Sequence, residues 1–448
     1  MHTVPWNDYK CMPTLDDSSS ARLKHIIDQP HAPIFKNQSG HHLQHEELEE
    51  LSRFTIDEAT REASAAFDEN TWIALFLRNC FNNVPFYKHY DKSVQRFEDY
   101  PTIDRSDLST RITDFVPDDL PLDRIIAYET SGTTGHSLTI PSHPIVAARY
   151  SAYHKKSLLW NHVDTREFES EVAIVLAGYQ EKCFTYASVS PYLNNKGLLK
   201  LNFHPDDWFS PNDREQYLDI NKPDLISGDP ISLSELSKIP FNHQPKAILS
   251  TSMTLLNATR RHFETRYQCP VLDIYSLNEA GPIGCSIPGK TGFRLLQSRL
   301  YVEILDVTGK PVATGERGEI ALTGGFNDYL PLLRYRTGDY GRLILEDGHW
   351  FIKDLEGRPP VQFKTCSGVW LNNVDVTHML QRYPLSQFSL HQDKQEKMII
   401  TLPSATFSQH IKELLEVKFG QKVEVKVLEK VSSDKKVIQY TSDLRNTF

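Results

Sequence analysis

At 448 residues the chain exceeds the size that one hydrophobic core usually serves, so two or more domains are expected. With 39% hydrophobic and 24% charged residues it has an ordinary globular composition, and a net charge of −9 without a basic stripe excludes nucleic acid as the expected partner. No apolar run is long enough to span a membrane, the first residues lack a signal-peptide pattern, and six scattered cysteines without a Cys-x-x-Cys pair fit reduced thiols in a cytoplasm.

Residues 1–68 are polar and acidic with little periodicity before 46–60, which predicts a peripheral or partly mobile extension. Within it His41 and His45 stand four apart, as two metal ligands or as a solvated cluster. Asn70 and Thr71 can cap a helix through 72–78 that stops near Asn83, ahead of Pro85. Residues 124–128 are β-prone. Segments 172–177, 224–227, 247–250 and 271–275 read as strands and 255–267 as an amphipathic helix, the alternation of an α/β domain with a largely parallel sheet. Beyond Gly292 the texture is β-rich, with strands at 300–306, 318–323 and 341–345 and a turn at Thr308-Gly309. The last segment reads helix, strand, strand, helix, strand (374–381, 388–390, 398–402, 410–419, 423–428), enough for a separate domain. The expected fold class is therefore α/β. A large N-terminal domain of parallel and mixed sheets with helices and a β-rich subdomain occupies 69–357, and a small α+β C-terminal domain occupies 358–448.

The most informative stretch follows the β-prone 124–128: Thr130, Ser131, Gly132, Thr133, Thr134 and Gly135. Glycines let the backbone approach an anion closely, and hydroxyls and main-chain N–H groups donate to phosphate oxygens. The spacing is too short for a Walker A loop and no Gly-Lys-Ser/Thr ends it, which turns the reading toward nucleotidyl transfer. Asp273, Tyr275 and Glu279 then lie on one strand–turn unit, where they suit an adenine amine, an adenine face and a phosphate-bound Mg²⁺; a core tyrosine and a loop glutamate are the plainer reading. Asp339 ends Arg334-Tyr-Arg-Thr-Gly-Asp339 in a predicted turn, either accepting two ribose hydroxyls or capping its own loop. Gly357-Arg358 sits where the two textures meet, and Lys435 and Lys436 lie near the end, as a catalytic cation on a mobile segment or as a solvated pair.

Taken in order, residues 130–135, Tyr275 to Glu279, Gly315-Glu-Arg-Gly-Glu319, Arg334 to Asp339 and Gly357-Arg358 resemble the motif series of the acyl-adenylate-forming superfamily. The likeness covers about residues 70–440 and is strongest to the phenylacetate-CoA ligase branch, through Asn83-Val-Pro-Phe-Tyr87, Tyr100 to Leu108 and Lys222 to Ser232. The resemblance implies that a small aryl or hydrophobic carboxylic acid attacks ATP, with Mg²⁺ present, to give an acyl-adenylate. A thiol, of coenzyme A or of an acyl carrier protein's phosphopantetheine, then displaces AMP, and a mobile C-terminal lid domain rotates between the steps. By motif match, residues 130–135 hold phosphates, Glu279 meets the metal, Asp273 and Tyr275 frame adenine, Asp339 binds ribose and Arg358 contacts ribose or phosphate. Lys435 or Lys436 takes the place of the family's C-terminal lysine, with no membrane or nucleic acid involved.

The chain departs from the family at His136, where a lysine or threonine run is usual, and at Pro359-Pro360, where two aspartates are usual. The glycine-rich turn over the acid corresponds to residues 184–188, and Tyr179, Phe184 and Tyr186 suggest an aromatic pocket. Two other classes stay open: a degenerate member that only binds nucleotide or acyl ligand, and an unrelated ATP-dependent phosphotransferase.

Overall fold

The computed structural model describes residues 11–68, 72–90, 94, 96–129, 138–357, 361–431 and 437–444. Its ten helices among these residues are α1 Asp17–Asp28, α2 His45–Thr60, α3 Trp72–Asn83, α4 Arg105–Arg111, α5 Pro144–Trp160, α6 Asp213–Asn221, α7 Pro230–Ser237, α8 Asn257–Tyr267, α9 Asn373–Leu380 and α10 Ser408–Phe419. A short antiparallel pair, β1 Ile126–Glu129 and β2 Thr139–Ser142, stands apart from the main sheet. That sheet has twelve strands. One half is built on parallel strands β3 Val172–Gly178, β5 Lys196–Asn202, β6 Leu225–Gly228, β7 Ala247–Ser250 and β8 Val271–Leu277, with β4 Tyr186–Ser190 as its antiparallel edge. These strands are apolar runs because helices or other strands cover both faces.

The other half is antiparallel: β9 Gly281–Cys285, β10 Phe293–Leu295, β11 Leu300–Leu305, β12 Gly318–Gly324, β13 Leu332–Glu346 and β14 His349–Gly357. The order β8-β9-β10-β14-β13-β12-β11 makes the two halves continuous, and a tight turn at 278–280 reverses the chain between β8 and β9. Gly281 closes that turn at φ +70°, where an added Cβ would fall 1.9 Å from the Phe326 ring. Only glycine fits there.

Residues 11–68, expected to be peripheral, are packed into the body. Leu23 and Ile26 of α1 are fully buried against the core of β5, and α2 lies along α5 with Leu51 inside. Few apolar anchors suffice, which is why the segment reads as polar. Nor do His41 and His45 share a helical face: α2 begins at His45, and half-buried His41 bonds Thr14 and caps Leu43 N–H, with its pKa drawn to about 4 by burial.

The C-terminal residues form β15 Gln362–Lys364, β16 Trp370–Asn372, α9, β17 Ser389–Gln392, β18 Met398–Leu402, α10, β19 Val423–Val427 and β20 Tyr440–Ser442. They enclose their own core of Phe363, Leu390, Ile400, Leu415 and Phe419. This unit sits on the start of α8: Leu256 enters its core, Gln381 accepts from the N–H groups of Asn257 and Ala258, and Thr259 donates to Leu385 O.

Candidate active site

Two hydrogen bonds join the motif residues that the sequence leaves far apart. Tyr275 on β8 donates through its hydroxyl to Asp339 Oδ2 at 2.8 Å. Tyr335 on β13 donates to Glu279 Oε1 at 2.6 Å. Glu279 lies in the β8–β9 turn, 5% exposed, and among the described residues its Oε2 has no partner. Burial, and then the facing carboxylates, push both phenols well above their ordinary pKa, so each stays a neutral donor. One oxygen of a buried carboxylate is thus committed to Tyr335, and among the described residues the other is not.

The Arg334–Asp339 motif works as a frame rather than as the predicted turn, and the reason lies in β12. Arg334 is buried, and all five of its N–H donors are used: on Glu303 Oε1 and Oε2, and on the carbonyls of Glu98, Tyr100 and Gly309. Arg336 bonds Glu319, whose other oxygen accepts from Gly338 N at 3.1 Å. Thr337 donates to Ile320 O and accepts from Asp339 N. These contacts carry β13 through Gly338 at φ +76°, so Asp339 sits inside a continuous strand with its carboxylate turned to Tyr275. Asp339 also pairs with Gly357, whose missing Cβ would lie 3.3 Å from Asp339 Oδ1.

Asp273 shares the face of β8 that carries Tyr275 but makes a different contact. Its carboxyl stands 4.0 Å from Arg260 of α8, and burial, partly opposed by Arg260, raises its pKa from 3.8 to about 7. The Gly315–Glu319 motif divides its work: Glu319 steadies Gly338, and Arg317 bonds Glu356 at 2.9 Å. Glu356 also accepts from Asn373 of α9 at 2.6 Å, joining the body to the C-terminal unit across the 358–360 junction. Burial raises the Glu356 pKa, with Arg317 opposing.

The predicted phosphate loop (Thr130, Ser131, Gly132, Thr133, Thr134, Gly135), His136, Arg358, Pro359, Pro360, Lys435, Lys436 and the capping Asn70 and Thr71 lie outside the described residues. Their flanks are placed. Glu129 pairs with Thr139, so the strands that flank the loop stand side by side, and Lys430, ahead of the lysine pair, bonds Glu181 at 2.5 Å. Of the 184–188 segment, 186–188 instead open edge strand β4, and Phe184, ahead of it, is half exposed with its ring 5.7 Å from that of Tyr186. Among the described residues no cluster of three His, Cys, Asp or Glu could hold a metal, and no helix is long and apolar enough to cross a membrane. Sequence reasoning missed the orienting roles of Tyr335 and Thr337. Both stood in a quoted motif, but their partners lie 56 and 17 positions away.

The fold is shared with solved coenzyme A ligase structures. The chain aligns with the structure of 2-hydroxyisobutyryl-CoA ligase in the postadenylation state in complex with 2-HIB-AMP at a TM-score of 0.64 and 15% identity, over 86% of this chain and 91% of that one. In sequence the chain resembles the phenylacetate-coenzyme A ligases. It is 38% identical to that of Pseudomonas putida over 89 residues, 19% of this chain and 20% of the relative, and 30% identical to that of Aromatoleum evansii over 134 residues, 28% and 30%. The matched segments span less than a third of those relatives' length. No family model matches the chain.

Proposed function

We propose that the protein activates a small aryl or hydrophobic carboxylic acid with ATP, forming an acyl-adenylate, and passes the acyl group to a thiol. Coenzyme A is the favoured acceptor, because the named relatives are coenzyme A ligases, with the phosphopantetheine of an acyl carrier protein as the alternative. The observation that carries this reading is the convergence of Tyr275, Asp339, Tyr335 and Glu279 from β8, β13 and the intervening turn.

In this reading the Tyr275 ring faces adenine while its hydroxyl orients Asp339 toward the ribose hydroxyls. Asp273 takes the adenine amine, residues 130–135 hold phosphates, and Arg358, next to the Gly357 that pairs with Asp339, reaches ribose or phosphate. Glu279 fits a Mg²⁺ contact: Tyr335 fixes one oxygen, the other is unpartnered among the described residues, and a single carboxylate with phosphates and water is a usual Mg²⁺ environment. When bound, the ion offsets charge on the phosphates. Residues 69–357 form the catalytic domain behind a packed N-terminal segment, and 358–448 form a lid that brings Lys435 or Lys436 to the reacting carboxylate. Pyrophosphate–ATP exchange tests the reading. Exchange that requires a carboxylic acid is expected, ADP release would mark a phosphotransferase, and neither product would mark a binding protein.

A further inference from the structure

Helix α8 is capped by another unit of the chain. Its N-cap residue, Leu256, offers no side-chain oxygen and instead buries its side chain in the C-terminal core. The first N–H groups, which a helix cannot satisfy from within, go to Gln381 at the end of α9: Asn257 N to Oε1 at 2.6 Å and Ala258 N to the main-chain O at 3.0 Å. Thr259, 1% exposed, then donates to Leu385 O at 2.9 Å. The next residue is Arg260, whose guanidinium stands 4.0 Å from the Asp273 carboxylate.

Arg334 uses every donor on the fold, whereas among the described residues the Arg260 guanidinium makes no hydrogen bond and its buried Nε has no partner. The Asp273 carboxyl, 7% exposed, makes none there either, and its register partner Ser250 on β7 buries an unpartnered hydroxyl. The ion pair and packing are thus what keep this guanidinium at Asp273. Burial presses Asp273 toward its protonated form and Arg260 opposes that, which keeps the carboxylate an acceptor.

We propose that Arg260 is a positioning residue for Asp273, and that docking of the C-terminal unit holds it there through the cap that Gln381 places on α8. The inference rests on the proposed adenine role of Asp273. When the C-terminal unit turns away, the first turn of α8 loses its cap, its backbone frays and the guanidinium leaves the carboxylate. The grip on the base is then strong while the unit is docked and weak once it has moved, and by linkage bound ATP favours docking.

The probes are ATP and inosine triphosphate, which carries a carbonyl where adenine has its amine, titrated calorimetrically. Wild type should favour ATP by roughly ten- to hundredfold, as expected of a hydrogen bond to a charged acceptor. Arg260→Met should cut that ratio at least about fivefold, and Arg260→Lys, which keeps the charge, should restore part of it. Gln381→Ala should cut it about two- to fivefold in the wild-type background and change it no further once Arg260 is Met. Thermal melts confirm that the variants fold. A ratio that survives Arg260→Met or Gln381→Ala, or a Gln381→Ala effect that persists without Arg260, overturns the inference. If wild type binds no ATP, or binds both nucleotides alike, the adenine role of Asp273 fails, and amide hydrogen exchange across 255–263 then decides the coupling. Faster exchange there in Gln381→Ala upholds the dependence of α8 on docking; unchanged exchange refutes it.

Discussion

Replacing Asp339 with alanine disturbs two contacts that a second substitution separates. The first is internal: Tyr275, 8% exposed, loses the acceptor it reaches at 2.8 Å. A buried hydroxyl left without a partner costs about 1–3 kcal/mol, and for a large domain each kcal/mol lowers Tm by roughly 2–4 °C. The second is external: a carboxylate proposed to accept from ribose contributes about 1.5–3 kcal/mol per hydrogen bond, or roughly ten- to hundredfold in Kd. Adding Tyr275→Phe to Asp339→Ala removes the orphaned hydroxyl and keeps the aromatic face. In urea denaturation the double variant should therefore be more stable than the sum of the single losses, by about 1–2 kcal/mol. In calorimetric ATP titrations it should bind no better than Asp339→Ala alone. ATP affinity that returns in the double variant, or that Asp339→Ala leaves untouched, would refute the ribose role and reduce Asp339 to the acceptor for Tyr275.

Four further outcomes follow from the same geometry. Glu279→Gln should fold normally by circular dichroism and lose about two to three orders of magnitude in pyrophosphate exchange, and wild-type rates at saturating Mg²⁺ would exclude the metal contact. Because burial raises the Asp273 pKa from 3.8 to about 7, the folded state holds the extra proton, so stability falls as pH rises across that window. Asp273→Asn should flatten this slope in urea unfolding between pH 5 and 8, and an unchanged slope would show that Asp273 ionises freely. Arg334→Ala should destabilise by about 3–5 kcal/mol, as expected when one partner of a buried ion pair is removed, and a fully stable variant with slow turnover would instead put Arg334 in the chemistry. Alanine at both Lys435 and Lys436 should slow adenylate formation while sparing thiol transfer from supplied acyl-adenylate, and equal loss of both would contradict a lid role.

Elements with a single exposed face or a buried apolar run were legible: α3, α8, β3, β6, β7, β8 and, in the C-terminal unit, α9, β17, β18, α10 and β19, whereas the three-residue strands β15, β16 and β20 were not. The ones that escaped have physical reasons. Helix α5 is buried on several sides, with Ile145, Val146, Ala148, Ala152, Tyr153 and Leu158 all inside, so its apolar residues follow no single stripe. Strand β13 hides part of its length in a motif whose arginines and aspartate read as loop, because the arginines are neutralised by Glu303 and Glu319 and Asp339 accepts from Tyr275, all from elsewhere in the sheet. The string of motifs named Tyr275, Glu279, Tyr335 and Asp339, which the fold joins by hydrogen bonds. It could not tell Arg334, a buried staple, from Asp339, a half-buried acceptor, since that distinction depends on which partners the fold delivers.

The bridge at Glu356 bears on how easily the C-terminal unit can turn. Its two partners belong to different bodies: Arg317 precedes β12, whereas Asn373 opens α9. A rotation about the 358–360 junction would break the Asn373 contact and leave the ion pair with Arg317 intact. The carboxylate would keep its countercharge throughout, so a full charge is never stranded. At Glu356 such a rotation gives up about one charged hydrogen bond, roughly 1.5–3 kcal/mol, and the rest of the catch lies in the contacts of Leu256, Gln381 and Thr259 between α8 and the C-terminal unit.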